Sequence, residues 1–129
     1  MQNRSELLKK IRPTITVDNS KSTDFETFQS VSLRPILKLQ NEIIISLINN
    51  YLSENKIEVK NLTDNKKKER IDEIVKGNLQ LKTILLGVVI ANFTTDELTF
   101  YYANKKEVVK RTITMLLERI TSQLPYITF

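Results

Sequence analysis

Three side-chain amides stand where apolar residues are expected. Gln40 and Asn41 fall inside the apolar arc of one strongly helical stretch, and Asn92 falls inside that of another. A buried amide without a partner costs about 1–3 kcal/mol, so each must be hydrogen-bonded. The partners are each other, a helix end, an internal water, or a ligand in a polar pocket. Arg34 precedes Pro35. A guanidinium near a helix start is a candidate anion contact through its forked donors. Glu26 and Glu42 are the carboxylates that compete for it. Two basic clusters, Lys66, Lys67, Lys68 and Arg70, then Lys105, Lys106, Lys110 and Arg111, are candidate contacts for a polyanion. Neither has an aromatic residue within it, and Glu69, Asp72 and Glu107 are mixed in. That composition equally describes a solvated helix face.

Other chemistry is excluded by residue type. The chain has no Cys and no His. This removes thiolate nucleophiles, disulfides, Ser–His and Cys–His pairs, and the commonest transition-metal ligand. Its two glycines stand ten residues apart, so there is no glycine-rich phosphate loop. Asp72/Glu73 and Asp96/Glu97 are adjacent in sequence. On a helix such neighbours point to different sides and suit capping better than acid–base work. No catalytic set, metal site or cofactor site is read, and the balance leans away from an enzyme.

These residues need elements to carry them. A chain of 129 residues with 40% hydrophobic and 27% charged content is one ordinary globular domain. Two glycines and three prolines are few for an all-β fold, which needs many turns. The net charge of +5 suits a polyanion partner or simply a lysine-rich surface. The longest apolar run, Ile84–Ala91, falls short of the ~20 residues of a membrane span. The first residues, MQNRSELLKKIRP, have no hydrophobic signal region. Together these features read as cytoplasmic.

The pattern predicts a short helix over 4–11 in an N-terminal arm of residues 1–22. Within the arm, Thr14–Val17 is a candidate to pair with Ile57–Val59 as a ribbon. Thr23 and Glu26 form a capping-box signal for a second helix, which Pro35 either kinks or restarts. Residues 36–52 carry an apolar arc about 200° wide, counted at 3.6 residues per turn. A polar helix follows over 63–76, with Gly77 as a left-handed stop. Residues 78–92 are apolar almost all round, which predicts the most buried helix. Within it Thr83, Gly87 and Ala91 make a small-residue stripe suited to close approach of another backbone. Thr94 and Glu97 give a second capping box, and Asn104 caps a last helix to Leu124. The inner stripe of that helix is Val109, Ile113, Leu116, Leu117, Ile120 and Leu124.

Val108 and Met115, seven apart, lie off that stripe. With the apolar tail at 125–129, namely Tyr126, Ile127 and Phe129, they are candidates for an interface with a second subunit. A helix-turn-helix over 63–92 conflicts with its own pattern, because the reading helix would be the most apolar in the chain.

Leu33–Lys38 followed by Gln40-Asn41, and Leu86–Ile90 leading to Asn92-Phe93-Thr94 and Glu97, resemble a group of small uncharacterised bacterial proteins often labelled "glyoxalase". The resemblance runs over most of the chain and implies a helical domain. It supplies no site residues. The metal-dependent glyoxalase chemistry of that label resembles sites built on His ligands, which this chain lacks. The resulting expectation is an all-α, single-domain bundle of five to six helices over 1–129. Stretches 36–52 and 78–92 form its centre, and 104–124 packs across them. The expected function is a protein-interaction module, homodimeric in one version. A nucleic-acid-binding accessory role and a small molecule held by the amides are the alternatives.

Overall fold

The computed structural model describes residues 3–13 and 23–129. Among these, all regular structure is helical, in seven helices rather than five to six. Residues 14–17 of the candidate ribbon lie outside the described residues, and 57–59 carry no strand assignment.

Helix α1 (Arg4–Ile11) is capped by Asn3, whose side chain accepts from Glu6 N–H at 2.9 Å. It has no buried residue. Helix α2 begins at Asp24 under the Thr23 cap and runs unbroken through Asp24–Phe28, Gln29–Leu33 and Arg34–Leu39. Pro35 does not restart it, since the helix is continuous on both sides of the ring. A proline inside an α-helix lacks its N–H and crowds the carbonyl four residues back. Here the turn before it, Gln29–Leu33, is a π-helix, one residue wider, so the ring is accommodated without a break.

The expected 36–52 helix is divided at Gln40, whose φ of −95° and ψ of 13° leave helical values. Beyond it, α3 (Asn41–Glu54) buries Ile44, Ile48 and Leu52. The helix ends in paired 6→1 and 5→2 bonds, from Ile57 N–H to the Leu52 carbonyl and from Lys56 N–H to the Ser53 carbonyl. Lys56 takes the left-handed position at φ 53°, where glycine is usual.

Helix α4 (Asp64–Gly77), capped by Thr63, buries Ile71, Ile74 and Val75. Gly77 does not stop it by a left-handed turn, for no glycine has positive φ. Asn78 turns the chain instead. Its extended backbone ends α4, and its side chain accepts from Leu81 N–H at 2.8 Å to start α5 (Leu79–Ile90). Helix α6 (Thr95–Ala103) has the full Thr94/Glu97 capping box. Asn104 does not cap α7 (Lys105–Thr121) with its side chain, which donates back to the Phe100 carbonyl at 2.9 Å.

Helix α7 is the hub, packing against α2, α4, α5 and α6. It buries Val108, Thr112, Met115, Leu116, Leu117 and Ile120. The covered arc is roughly 200° wide at 3.6 residues per turn. Helix α5 lies against α3, α4 and α7 but buries only Leu81, Leu85 and Val89. It is not the most buried helix: Leu79 and Ile84 are 76% and 45% exposed. Phe28 stacks on Phe100 and meets Phe93 edge-on, tying α2 to the α5–α6 turn and to α6. The tail docks on its own chain. Thr128 N–H donates to Asn49 Oδ1, Asn49 Nδ2 donates to the Tyr126 carbonyl, and Ile127 is buried.

Candidate functional site

The amides separate into two places. Gln40 Nε2 donates to Asn92 Oδ1 at 3.1 Å, and Asn92 Nδ2 donates to the Val88 carbonyl at 2.7 Å. This links the α2–α3 bend to the end of α5. Asn41 turns to the opposite side of the bend and pairs reciprocally with Gln123. Each amide nitrogen donates to the other's oxygen at 2.7 Å. Arg119 Nη1 also reaches Asn41 Oδ1, at 3.2 Å. A single pocket lined by Gln40, Asn41 and Asn92 is therefore not formed. Asn41 lines a separate cavity with Ile45, Gln123 and Tyr126.

Arg34 is exposed, and neither Glu26 nor Glu42 pairs with it. It lines a cavity of about 390 Å³ between α2 and α7, together with Gln29, Arg119 and Ser122. Burial pulls the Arg119 guanidinium's pKa below its ordinary value.

The basic clusters are reduced by one. Lys67 is 7% exposed, and its Nζ donates to the Leu124 carbonyl at 2.8 Å. That contact satisfies a carbonyl of the turn after α7, so Lys67 is not available to a polyanion. Arg70 pairs with Glu73 at 3.3 Å, while Lys66 and Lys68 are exposed. In the second cluster Lys105, Lys106, Lys110 and Arg111 are all exposed. Lys105 Nζ stands 5.6 Å from the centroid of Tyr102, which is 62% exposed. The fold thus sets an aromatic ring beside a cluster that has none within its own run.

The proposed interface residues are mostly interior. Val108 and Met115 are 1% and 8% exposed, and Ile127 is 1% exposed. Phe129 packs against the core, leaving Tyr126 exposed. Val108 and Met115 are covered because neighbours flank α7 on both sides of the expected stripe.

One polar cluster escaped the residue patterns. Arg12 forms a bidentate pair with Glu97, Nη2 to Oε1 at 2.6 Å and Nη1 to Oε2 at 2.8 Å. The two side chains are 8% and 11% exposed. Arg12 also donates to the Asn92 carbonyl, and Arg4 donates to those of Ala91 and Phe93 at 2.5 and 2.6 Å. Arg4 of α1 and Arg12 just after it thereby satisfy carbonyls of the turn that follows α5, where cations suit the helix dipole. Burial alone pushes the Glu97 carboxyl up. Hydrogen bonds from Arg12, Ser32 and the Thr94 N–H, with the Arg12 charge, outweigh it and hold the pKa below the usual range. Such a carboxylate stays ionised and committed, so it acts as a clasp rather than a proton carrier. The one signal in the sequence is that Arg4 and Arg12 are two turns apart on or beside α1. Their partners lie 80 or more residues away.

Among the described residues, no group of three or more His, Cys, Asp or Glu side chains is placed to hold a metal, and no helix is long and apolar enough to cross a membrane. The chain matches no protein-family model, no curated protein and no solved structure.

Proposed function

We propose that the protein is a cytoplasmic protein-interaction module that pairs with a second copy of itself through the outward face of α5. One observation carries this reading. Leu79, Gln80, Thr83, Ile84, Gly87 and Ala91 are all exposed, and none is charged. In a chain with 27% charged residues, a solvent-facing helix arc without a charge is the surface to explain. The small-residue stripe lies on this arc. A Cβ added to Gly87 would meet nothing within 4 Å, so no backbone among the described residues uses the space.

The arc is self-complementary. Thr83, Gly87 and Ala91 form a groove along an i, i+4 row, and Gln80, Ile84 and Val88 form the ridge beside it. Ridge into groove, twice, is the isologous contact of a two-fold dimer. Two chains of charge +5 repel each other on balance. Here they carry no like charges to oppose.

Light scattering on the eluted protein at tens of micromolar tests this. A dimer with Kd of about 1 μM, or about −8.2 kcal/mol, is then mostly formed. Gly87→Arg should yield a monomer of unchanged helicity, because arginine is the better helix former. A wild-type chain that is strictly monomeric overturns the reading.

A second reading, a nucleic-acid-binding accessory role, draws on Tyr102 standing beside Lys105, the first residue of the exposed cluster Lys105, Lys106, Lys110 and Arg111. Stacking on an exposed ring beside lysines suits single strands. It predicts a gel shift with mixed DNA or RNA at about 50 mM salt that fades steeply as salt rises. No shift ends it.

A further inference from the structure

The π-turn Gln29–Leu33 does more than accommodate Pro35. In an α-helix, residues five apart differ by roughly 140° around the axis. In the wider turn the Arg34 N–H donates to the Gln29 carbonyl, which brings Arg34 back over Gln29. Such turns are rare and gather at functional sites. Here the consequence is that Gln29 and Arg34 line the same cavity, with Arg119 and Ser122 of the α7 end also on its wall. Leu37 and Met115, 2% and 8% exposed, add apolar surface to it.

The charge in this cavity is unbalanced. The ion pairs among the described residues are Arg12–Glu97 and Arg70–Glu73, so neither Arg34 nor Arg119 has a carboxylate partner among them. Glu118 also lines the cavity, so among the described residues two guanidiniums stand there against one carboxylate. Arg119 donates to the neutral Asn41 Oδ1 and is otherwise partly stripped of water. Two cations on one concavity repel unless an anion lies between them, and guanidiniums bind planar or tetrahedral oxyanions through paired donors. A volume of about 390 Å³ is that of a small-molecule site.

We propose that this cavity binds a small organic oxyanion. Its phosphate or carboxylate group lies between Arg34 and Arg119, with Gln29 as a further donor. Its apolar body rests on Leu37 and Met115. The site is on a different surface from the α5 arc and stands or falls separately.

Calorimetric titration of the full chain with inorganic phosphate, phenyl phosphate and hexanoate, at ionic strength fixed with sodium chloride, tests it. Saturable binding of phenyl phosphate or hexanoate supports the site, and whichever binds tighter identifies the oxyanion. Arg34→Gln, at an exposed position, should weaken that binding about tenfold or more, and Arg119→Gln likewise. Lys106→Gln, on the outer face of α7, should leave it unchanged. No saturable binding of any probe at millimolar concentration overturns the proposal. So does a loss in Lys106→Gln equal to that in Arg34→Gln, since binding would then follow total charge alone.

Discussion

Helices α5 and α7 treat their apolar residues in opposite ways. Helix α7 alternates charge with apolar positions, yet covers so wide an arc that residues off its regular stripe are interior. Helix α5 has few polar residues, yet buries only three positions and leaves Leu79, Gln80, Thr83, Ile84 and Gly87 exposed. Burial here follows the number of neighbours rather than the hydrophobicity of the element. An amphipathic helix announces which side faces in, because water fixes its polar side. A helix apolar all round has no such anchor, and its rotation is set by what packs against it.

The contrast is broken most directly by truncation. Leu116→Ala and Leu85→Ala, both at fully buried positions, should each cost about 2–5 kcal/mol in urea unfolding. Met115→Ala should cost about 2 kcal/mol or more, whereas Ile84→Ala should cost under about 1 kcal/mol in the monomer. Equal costs at Met115 and Ile84 would erase the distinction between the helices.

Glu97→Gln probes the clasp that closes the far end of α5. Removing one member of a buried pair strands the other's charge, and a loss of about 3 kcal/mol is expected. The pH dependence has a definite sign. The Glu97 carboxyl is lowered in the fold from its usual 4.5. Its stabilisation is therefore complete above about pH 4.5 and lost as pH falls through the lower folded value. Urea midpoints of wild type should fall in that window, and those of Glu97→Gln should fall less.

The smallest effects come from exchanging glycine and side chain. Gly87→Ala adds a methyl group to open space inside a helix and should stabilise the monomer by about 1 kcal/mol. Lys56→Gly relieves a left-handed lysine and should gain up to about 1 kcal/mol. Thermal unfolding measures both. A destabilised Gly87→Ala would mean that something does approach that glycine.

What could be read from the residues was local. Thr23, Thr63 and Thr94 each accept from an N–H three residues on, and those starts are visible in the sequence because the partners are adjacent. The all-helical class follows from the same periodicity. Misreadings arose where a distant partner decided. Lys67 looks like one of a run of surface lysines until the Leu124 carbonyl, 57 residues on, takes its ammonium. Asn104 is the exception, for it resembles a cap but the Phe100 carbonyl only four residues back takes its amide. Gln40 and Asn41 are neighbours in sequence and part company in space, because a bend between two helices sends consecutive side chains to different partners. The Arg12–Glu97 pair was marked only by the spacing of Arg4 and Arg12, since Glu97 already had a sufficient role in its capping box.

The wide turn at Gln29–Leu33 acts as a phase shifter. Downstream of it, every side chain of α2 is set back by about one residue's rotation relative to a uniform helix. Phe28, Leu33, Ile36 and Leu37, which uniform winding would spread over about 180°, can therefore all reach the same core. Removing one residue from that turn would restore uniform winding, and the two halves could no longer face that core together.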